Sequence, residues 1–303
     1  MLLCFDGSDG SRHAIAAAAA LGIGGQAVVC HSWSGMSHAM FHGNLGAVPP
    51  PLEKAIDDLD ELDREAAERL AGEGARAARE AGFDAAPAAV KQEAKAWRTL
   101  LAVASERHAG LIVVGAHGRS GLERLLTGSV SSAVLTHARV PVLVVPEGPH
   151  PGHGGPLLLC YDGSDNARRS IEIAGERFPG RRAIVLHAWE SWFARATALS
   201  AVVPPVYGME RELDEIAEEQ CEKAAGAGVT LAKECGLDAE ALMVKVDAGP
   251  VWRAVLDAAE EHDAAAIVMG TRGLTGISQA LGSVSHGVVN HARLPVLVVP
   301  PES

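Results

Sequence analysis

Two short stretches combine a carboxylate, a glycine and a hydroxyl: Asp6-Gly7-Ser8-Asp9 and Asp162-Gly163-Ser164-Asp165. Each follows an apolar run. Farther along, Gly115-Ala116-His117-Gly118 is followed by nine residues, beginning with Arg119, and then by Gly128-Ser129-Val130-Ser131. These residue types suit an anion. Gly115 and Gly118 let the backbone approach a ligand closely and take dihedral angles that side chains exclude. A helix opening at Gly128-Ser129 turns its unpaired N–H groups and the positive end of its dipole outward. Ser129 and Ser131 add hydroxyls that cap the helix or donate to phosphate, while His117 and Arg119 add positive charge. Asp6 is an acceptor for a ribose hydroxyl or a hydrated metal ion. The pattern Gly-x-x-x-x-Gly-Lys-Ser/Thr is absent, so this is not a P-loop.

The second set differs. Gly270-Thr271-Arg272-Gly273 is followed by eight residues before Gly282-Ser283, and Arg272 precedes the second glycine where Arg119 follows it. The missing residue is expected to shift the start of the Ser283 helix relative to the loop and so to weaken the second site. No nucleophile paired with a base and no metal triad adjoins either cradle, so no catalytic residue is assigned. His117 is the one local group that could orient a water in the first set, with Thr271 read in its place in the second.

The elements that must hold these residues occur twice. Leu2-Leu-Cys-Phe-Asp-Gly-Ser-Asp9 returns as Leu158-Leu-Cys-Tyr-Asp-Gly-Ser-Asp165, Trp97-Arg98 returns as Trp252-Arg253, and Gly128–Pro146 returns as Gly282–Pro300. Duplication places one domain at 1–147 and a second at 156–303, joined by a Gly/Pro-rich linker, 148–155. In the first copy, strands are predicted over Leu2–Phe5, Ala27–His31, Ala86–Lys91, Leu111–Val114 and Val140–Val145. Helices are predicted from a cap at Ser11 to Leu21, over Glu53–Ala81 with Ile56, Leu59, Leu62, Ala66 and Leu70 on one side, and over Ala96–His108 and Ser129–His137. Continuous Val/Ile/Leu runs alternating with helices predict an α/β fold: two tandem doubly wound parallel five-stranded sheets with helices on both faces. In such sheets ligands bind beyond the carboxyl ends of the strands, where the winding reverses.

Composition narrows the function. With 26 Lys and Arg against 38 Asp and Glu the formal charge is −12. Such a surface repels a phosphate backbone and excludes nucleic acid as a partner. No apolar stretch suits a signal or a membrane span, so a cytoplasmic protein is expected. Five Cys without metal-like or Cys-x-x-Cys spacing exclude a disulfide framework; Cys4 and Cys160 are read as small core residues. His31 and His187 are read as satisfying local hydrogen bonds, and Trp97 and Trp252 as core or inter-domain packing.

Gly-x2-Gly-x9-Gly-Ser after a Val-rich strand, the Asp-Gly-Ser start and the ending Arg139-Val-Pro-Val-Leu-Val-Val-Pro146 together resemble the ATP-binding universal stress protein family, over both copies. The resemblance implies that Asp6 meets ribose and that Ser32 meets adenine through its backbone. It implies that Gly115, Gly118, Gly128, Ser129 and Val130 line the phosphates, with Val114, Arg119 and Ser131 beside them. In the second copy it carries over to Asp162, Ala188, Met269, Gly270, Gly273, Gly282, Ser283, Val284 and Ser285. It implies ATP carried with Mg2+ and no dedicated metal site. It also implies pairing of the two copies as an intramolecular pseudo-dimer or of two chains as a homodimer, and an output read by a regulatory protein partner. An ATP hydrolase or nucleotidyl-transfer enzyme of related fold, and a nucleotide-free scaffold, are the alternatives.

Overall fold

The apolar runs become parallel strands covered on both faces. The computed structural model describes residues 1–35, 50–116, 128–148, 154–190, 210–271 and 281–302. The chain divides into Met1–Glu147 and Gly148–Ser303. In the first unit the order is β1 (Leu2–Cys4), α1 (Asp9–Ala20), β2 (Gly25–Trp33), α2 (Pro50–Glu80), β3 (Phe83–Lys91), α3 (Ala96–Glu106), β4 (Ile112–Gly115), α4 (Ser129–His137) and β5 (Val142–Val145). The second repeats it as β6 (Leu157–Cys160), α5 (Asp165–Arg177), β7 (Arg182–Glu190), α6 (Glu210–Glu234), β8 (Asp238–Val246), α7 (Val251–Glu261), β9 (Ala266–Gly270), α8 (Ser283–His291) and β10 (Val296–Val299).

Within the first unit the strands lie in the order β3-β2-β1-β4-β5, and within the second β8-β7-β6-β9-β10, all parallel. The chain winds outward from β1 to β3, then crosses back to β4 and β5. The crevice of each doubly wound sheet therefore opens between β1 and β4, and between β6 and β9. The innermost strands form the core: Leu2, Leu3, Ile112 and Leu143 in one unit, and Leu157, Leu158, Leu159 and Ile267 in the other, are fully buried.

Three local expectations change. Strands β2 and β3 each run nine residues, because mutual pairing from Gly25↔Phe83 to Trp33↔Lys91 carries both past their apolar centres. Helix α1 is capped by Ser8, not Ser11: the Ser11 N–H donates to Ser8 Oγ at 3.2 Å, while the Ser11 hydroxyl donates back to Ser8 O at 2.8 Å. Gly7, at φ +82°, makes the turn that brings Ser8 to the cap position.

Helix α2 also turns a different face inward. Ile56 is buried, but Leu59 and Leu62 are 41% and 59% exposed, and the residues against the sheet are Ala67, Ala71, Gly74, Ala75 and Ala78. Small side chains bring the helix axis close to β2 and β3. Gly74 is the tightest point: a Cβ there would lie 2.7 Å from the Phe5 ring and 2.8 Å from Val29 Cγ1. Gly228 of α6 repeats this against Tyr161, at 2.7 Å, and Val185, at 2.8 Å. Gly72 and Gly226, one half-turn earlier, face open space.

Candidate functional site

The crevice of the first unit is built by three chain segments. Leaving β1, Phe5 is held by His31, whose Nδ1–H donates to the Phe5 carbonyl at 2.8 Å; a carbonyl accepts only, so the proton sits on Nδ1. His187 does the same for Tyr161 at 2.7 Å. The next residue, Asp6, accepts at Oδ1 from the Ser8 N–H at 3.0 Å and from the Ser8 hydroxyl. This closes an Asx turn that points the carboxylate at the crevice it lines. Asp162 accepts from the Ser164 N–H at 3.0 Å in the same way.

The second segment leaves β4. The Ala116 N–H donates to Val145 O at 2.8 Å, and the returning chain is tied back by Gly128 N–H to Ala116 O at 2.6 Å. Gly128 is the N-cap of α4 and offers no side chain to cap it. The N–H groups of Ser129, Val130 and Ser131 in the first turn have no acceptor within the helix. The Ser131 side chain is buried, and its hydroxyl donates to the carbonyls of Ala116 at 3.0 Å and Gly128 at 3.1 Å. That hydroxyl hydrogen is committed inside the protein, so what Ser131 offers a ligand is its backbone N–H.

The third segment is the end of β2 with the residue after β3. The Gln92 amide donates from Nε2 to Ser32 O at 3.1 Å and Ser32 Oγ at 3.2 Å. Trp33 is flanked by Lys91, whose ammonium lies 5.6 Å from the ring centroid and 2.7 Å from Asp60.

These segments line one cleft of about 750 Å³. It brings together Asp6, Ser32, Val114, Gly115, Gly128, Ser129, Val130 and Ser131. Gly118, Arg119, His117 and Gly273 lie outside the described residues. The sequence pattern missed Trp33 and Gln92 and the α2 residues Asp63, Arg69 and Glu73, which also line it. The recurrence of Trp at 33 and 189 and of Lys at 91 and 245, with the second pair 5.3 Å apart, was the available signal for Trp33.

In the second unit, Asp162, Ala188, Met269 and Gly270 lie at the ends of β6, β7 and β9, and Gly282, Ser283, Val284 and Ser285 open α8. Relative to the strand that precedes it, the start of this helix is anchored as in the first unit. Gly282 N–H donates to Thr271 O at 2.8 Å, Ser285 Oγ donates to Gly270 O at 3.0 Å and Thr271 O at 3.1 Å, and the two N-cap glycines have nearly the same dihedral angles. Thr271 takes the place of Ala116, since its N–H donates to Val299 O as that of Ala116 does to Val145 O; it does not stand for His117. The copies differ instead at Asn166, which replaces Gly10. Its amide donates to Thr271 Oγ1 at 3.4 Å and packs so closely on Gly270 that a Cβ there would have no room.

Trp97 and Trp252 stack within their own units, on His137 at 4.5 Å and His291 at 4.3 Å between ring centroids. The thiols serve packing. Cys4 and Cys30 are buried and lie opposite each other on β1 and β2. Burial pushes the Cys30 thiol up to about 12 and raises Cys4 further, with Cys30 and Asp6 adding to the effect. Since the thiolate is the reactive form, native protein at pH 8 should leave both unalkylated by iodoacetamide for hours. Peptide mass mapping should find them labelled only after denaturation.

Among the described residues no group of three or more His, Cys, Asp or Glu is placed to hold a metal ion, and no helix is long and apolar enough to cross a membrane. The Universal stress protein family model matches residues 1–146 and again 155–300. A universal stress protein of Mycobacterium tuberculosis is 30% identical over 197 residues, 63% of this chain and 59% of that protein. The chain thus spans under two thirds of that relative. A universal stress protein of Thermus aquaticus is 36% identical over 147 residues, 47% of this chain and 96% of that one. A crystal structure of a universal stress protein from Archaeoglobus fulgidus shares the fold at 21% identity with a TM-score of 0.60, covering 100% of this chain and 96% of that one.

Proposed function

Since this chain belongs to the universal stress protein family, we propose that it is a stress-response regulator whose units bind ATP and whose occupancy is read by a protein partner. One observation carries the reading. A single cleft joins an uncapped helix N-terminus, the carboxylate of Asp6 and the polar end of β2. Those three features match, in order, the phosphates, ribose and base of a nucleotide. The N–H groups of Ser129, Val130 and Ser131 and the dipole of α4 supply the positive potential that a chain of net charge −12 lacks overall.

The donor set fits phosphate and supplies no metal cage, so Mg2+ would arrive on the phosphates, with Asp6 the carboxylate closest in kind to hold its water shell. The described lining residues include no base paired with a nucleophile, which favours binding and release over turnover.

The test is direct. Full-length protein, purified without added nucleotide, is denatured, and the released small molecules are identified by mass; apo protein is then titrated with ATP and Mg2+ and assayed for phosphate release. ATP recovered or bound with slow or absent release supports the regulator. Rapid release makes the protein an ATP hydrolase. No nucleotide recovered and none bound makes it a scaffold.

A further inference from the structure

We propose that Gln92 makes the first site selective for a base bearing an exocyclic amine, and that the second site lacks this selectivity; the inference rests on the nucleotide reading above.

Strand order fixes the direction in which a nucleotide must lie. The anion end is at the α4 N-terminus beside β4, Asp6 follows at β1, and Ser32 at β2 and Gln92 beyond β3 come last. Neighbouring strands are about 4.8 Å apart, so the β2 end lies about 10 Å from β4. A base carried by a nucleotide whose phosphates occupy Gly128–Ser131 therefore reaches Ser32 and Gln92. The cleft lining includes apolar surface that suits a flat ring, from Ala96 and Leu100 of α3 and Ala66 and Leu70 of α2.

Ser32 and Gln92 are tied to each other there. Ser32 O can only accept, so the Gln92 atom 3.1 Å from it is the amide nitrogen. The same nitrogen lies 3.2 Å from Ser32 Oγ. With Nε2 committed to Ser32, the group Gln92 has left to offer the cleft it lines is the acceptor Oε1. Gln92 Oε1 and Ser32 O, which can only accept, form an acceptor edge. Such an edge accepts from the 6-amino group of adenine and sets an oxygen against the 6-carbonyl of guanine or hypoxanthine. Discrimination of this kind is large, because the mismatched pair leaves polar groups unsatisfied in a desolvated site.

The second unit keeps the strands and loses the edge. Ala188 replaces Ser32, and Val246, the residue after Lys245, replaces Gln92. Neither side chain can hydrogen-bond, so the side-chain acceptor that Gln92 supplies in the first unit has no counterpart at these two positions.

The experiment compares ATP with ITP, which carries a carbonyl at position 6, on the full chain. Gly282→Asp closes the second site and isolates the first; Gly128→Asp isolates the second. The first site should prefer ATP by about tenfold or more, and adding Gln92→Leu should bring the preference to within about twofold while ATP still binds. The second site should show a preference within about twofold from the start. An ATP-to-ITP ratio unchanged by Gln92→Leu, or a second site as selective as the first, overturns the assignment while leaving nucleotide binding intact. Failure of both nucleotides to bind either isolated site overturns the nucleotide reading itself, and this inference with it.

Discussion

Gly128→Asp should abolish ATP binding at the first site while leaving the protein as stable as before. Gly128 caps α4 with no side chain, and Ser129, Val130 and Ser131 hold their N–H groups toward the cleft. Asp is among the best N-cap residues: its carboxylate accepts from the second or third N–H of the helix. The variant therefore places a built-in anion on the groups that would hold a phosphate, and its charge repels the ligand as well. Each charge-assisted hydrogen bond contributes about 1.5–3 kcal/mol, so losing two costs about 3–6 kcal/mol, an affinity loss of roughly 100-fold or more. The cap itself adds a few tenths of a kcal/mol of helix stability. Calorimetric titration should show one site fewer, and thermal melting of the apo protein should be unchanged or slightly raised. Undiminished ATP affinity at this site would remove the α4 N-terminus from the binding machinery.

The glycines of α2 should respond in opposite directions to added side chains. Gly72 faces open space, and Gly72→Ala should stabilise the first unit by about 0.5–1 kcal/mol, the ordinary gain for replacing a helical glycine. Gly74 faces Phe5 and Val29 with no room for a Cβ. Gly74→Val must push α2 from the sheet or drive the Phe5 ring from its place, a change that costs about 1–3 kcal/mol. The melting temperature of the first unit should fall by roughly 3–10 °C. Since Phe5 leads directly into Asp6, ATP affinity should fall with it. If Gly74→Val melts with or above the parent, close approach of α2 to the sheet does not govern this unit's stability.

That Gly115, Gly128 and Ser129 would meet in one cleft was legible in the sequence, because glycine between a Val-rich strand and a Ser-opened helix marks a tight strand-to-helix connection. The expectation of a shifted helix start in the copy with one residue fewer was not met, for a physical reason. Spacing reports the length of a connection, whereas the helix start is fixed by the Gly282–Thr271 hydrogen bond at the connection's ends. Gln92 was illegible: a lone Gln after a strand carries no pattern, and its partner Ser32 is 60 residues away. Trp97 stood out as a recurring residue, but only the packing of α3 on α4 sets it in a stack with His137. The buried face of α2 was misread because Leu outranks Ala in apolar character, while proximity to the sheet favoured the smaller residue.

The hydrogen bond from Gly128 to Ala116 has a further consequence for how the two copies could diverge. It pins both ends of residues 117–127 within one contact, as the Gly282–Thr271 bond pins residues 272–281. Between anchors held together in this way, one residue more or less in a flexible segment changes the closure entropy by only roughly 0.1 kcal/mol. After duplication, insertions and deletions between those anchors were therefore close to neutral for the scaffold, and selection could act on the excised or inserted residues themselves. The same anchors separate the two roles: the length between them can drift while the helix that follows keeps its start.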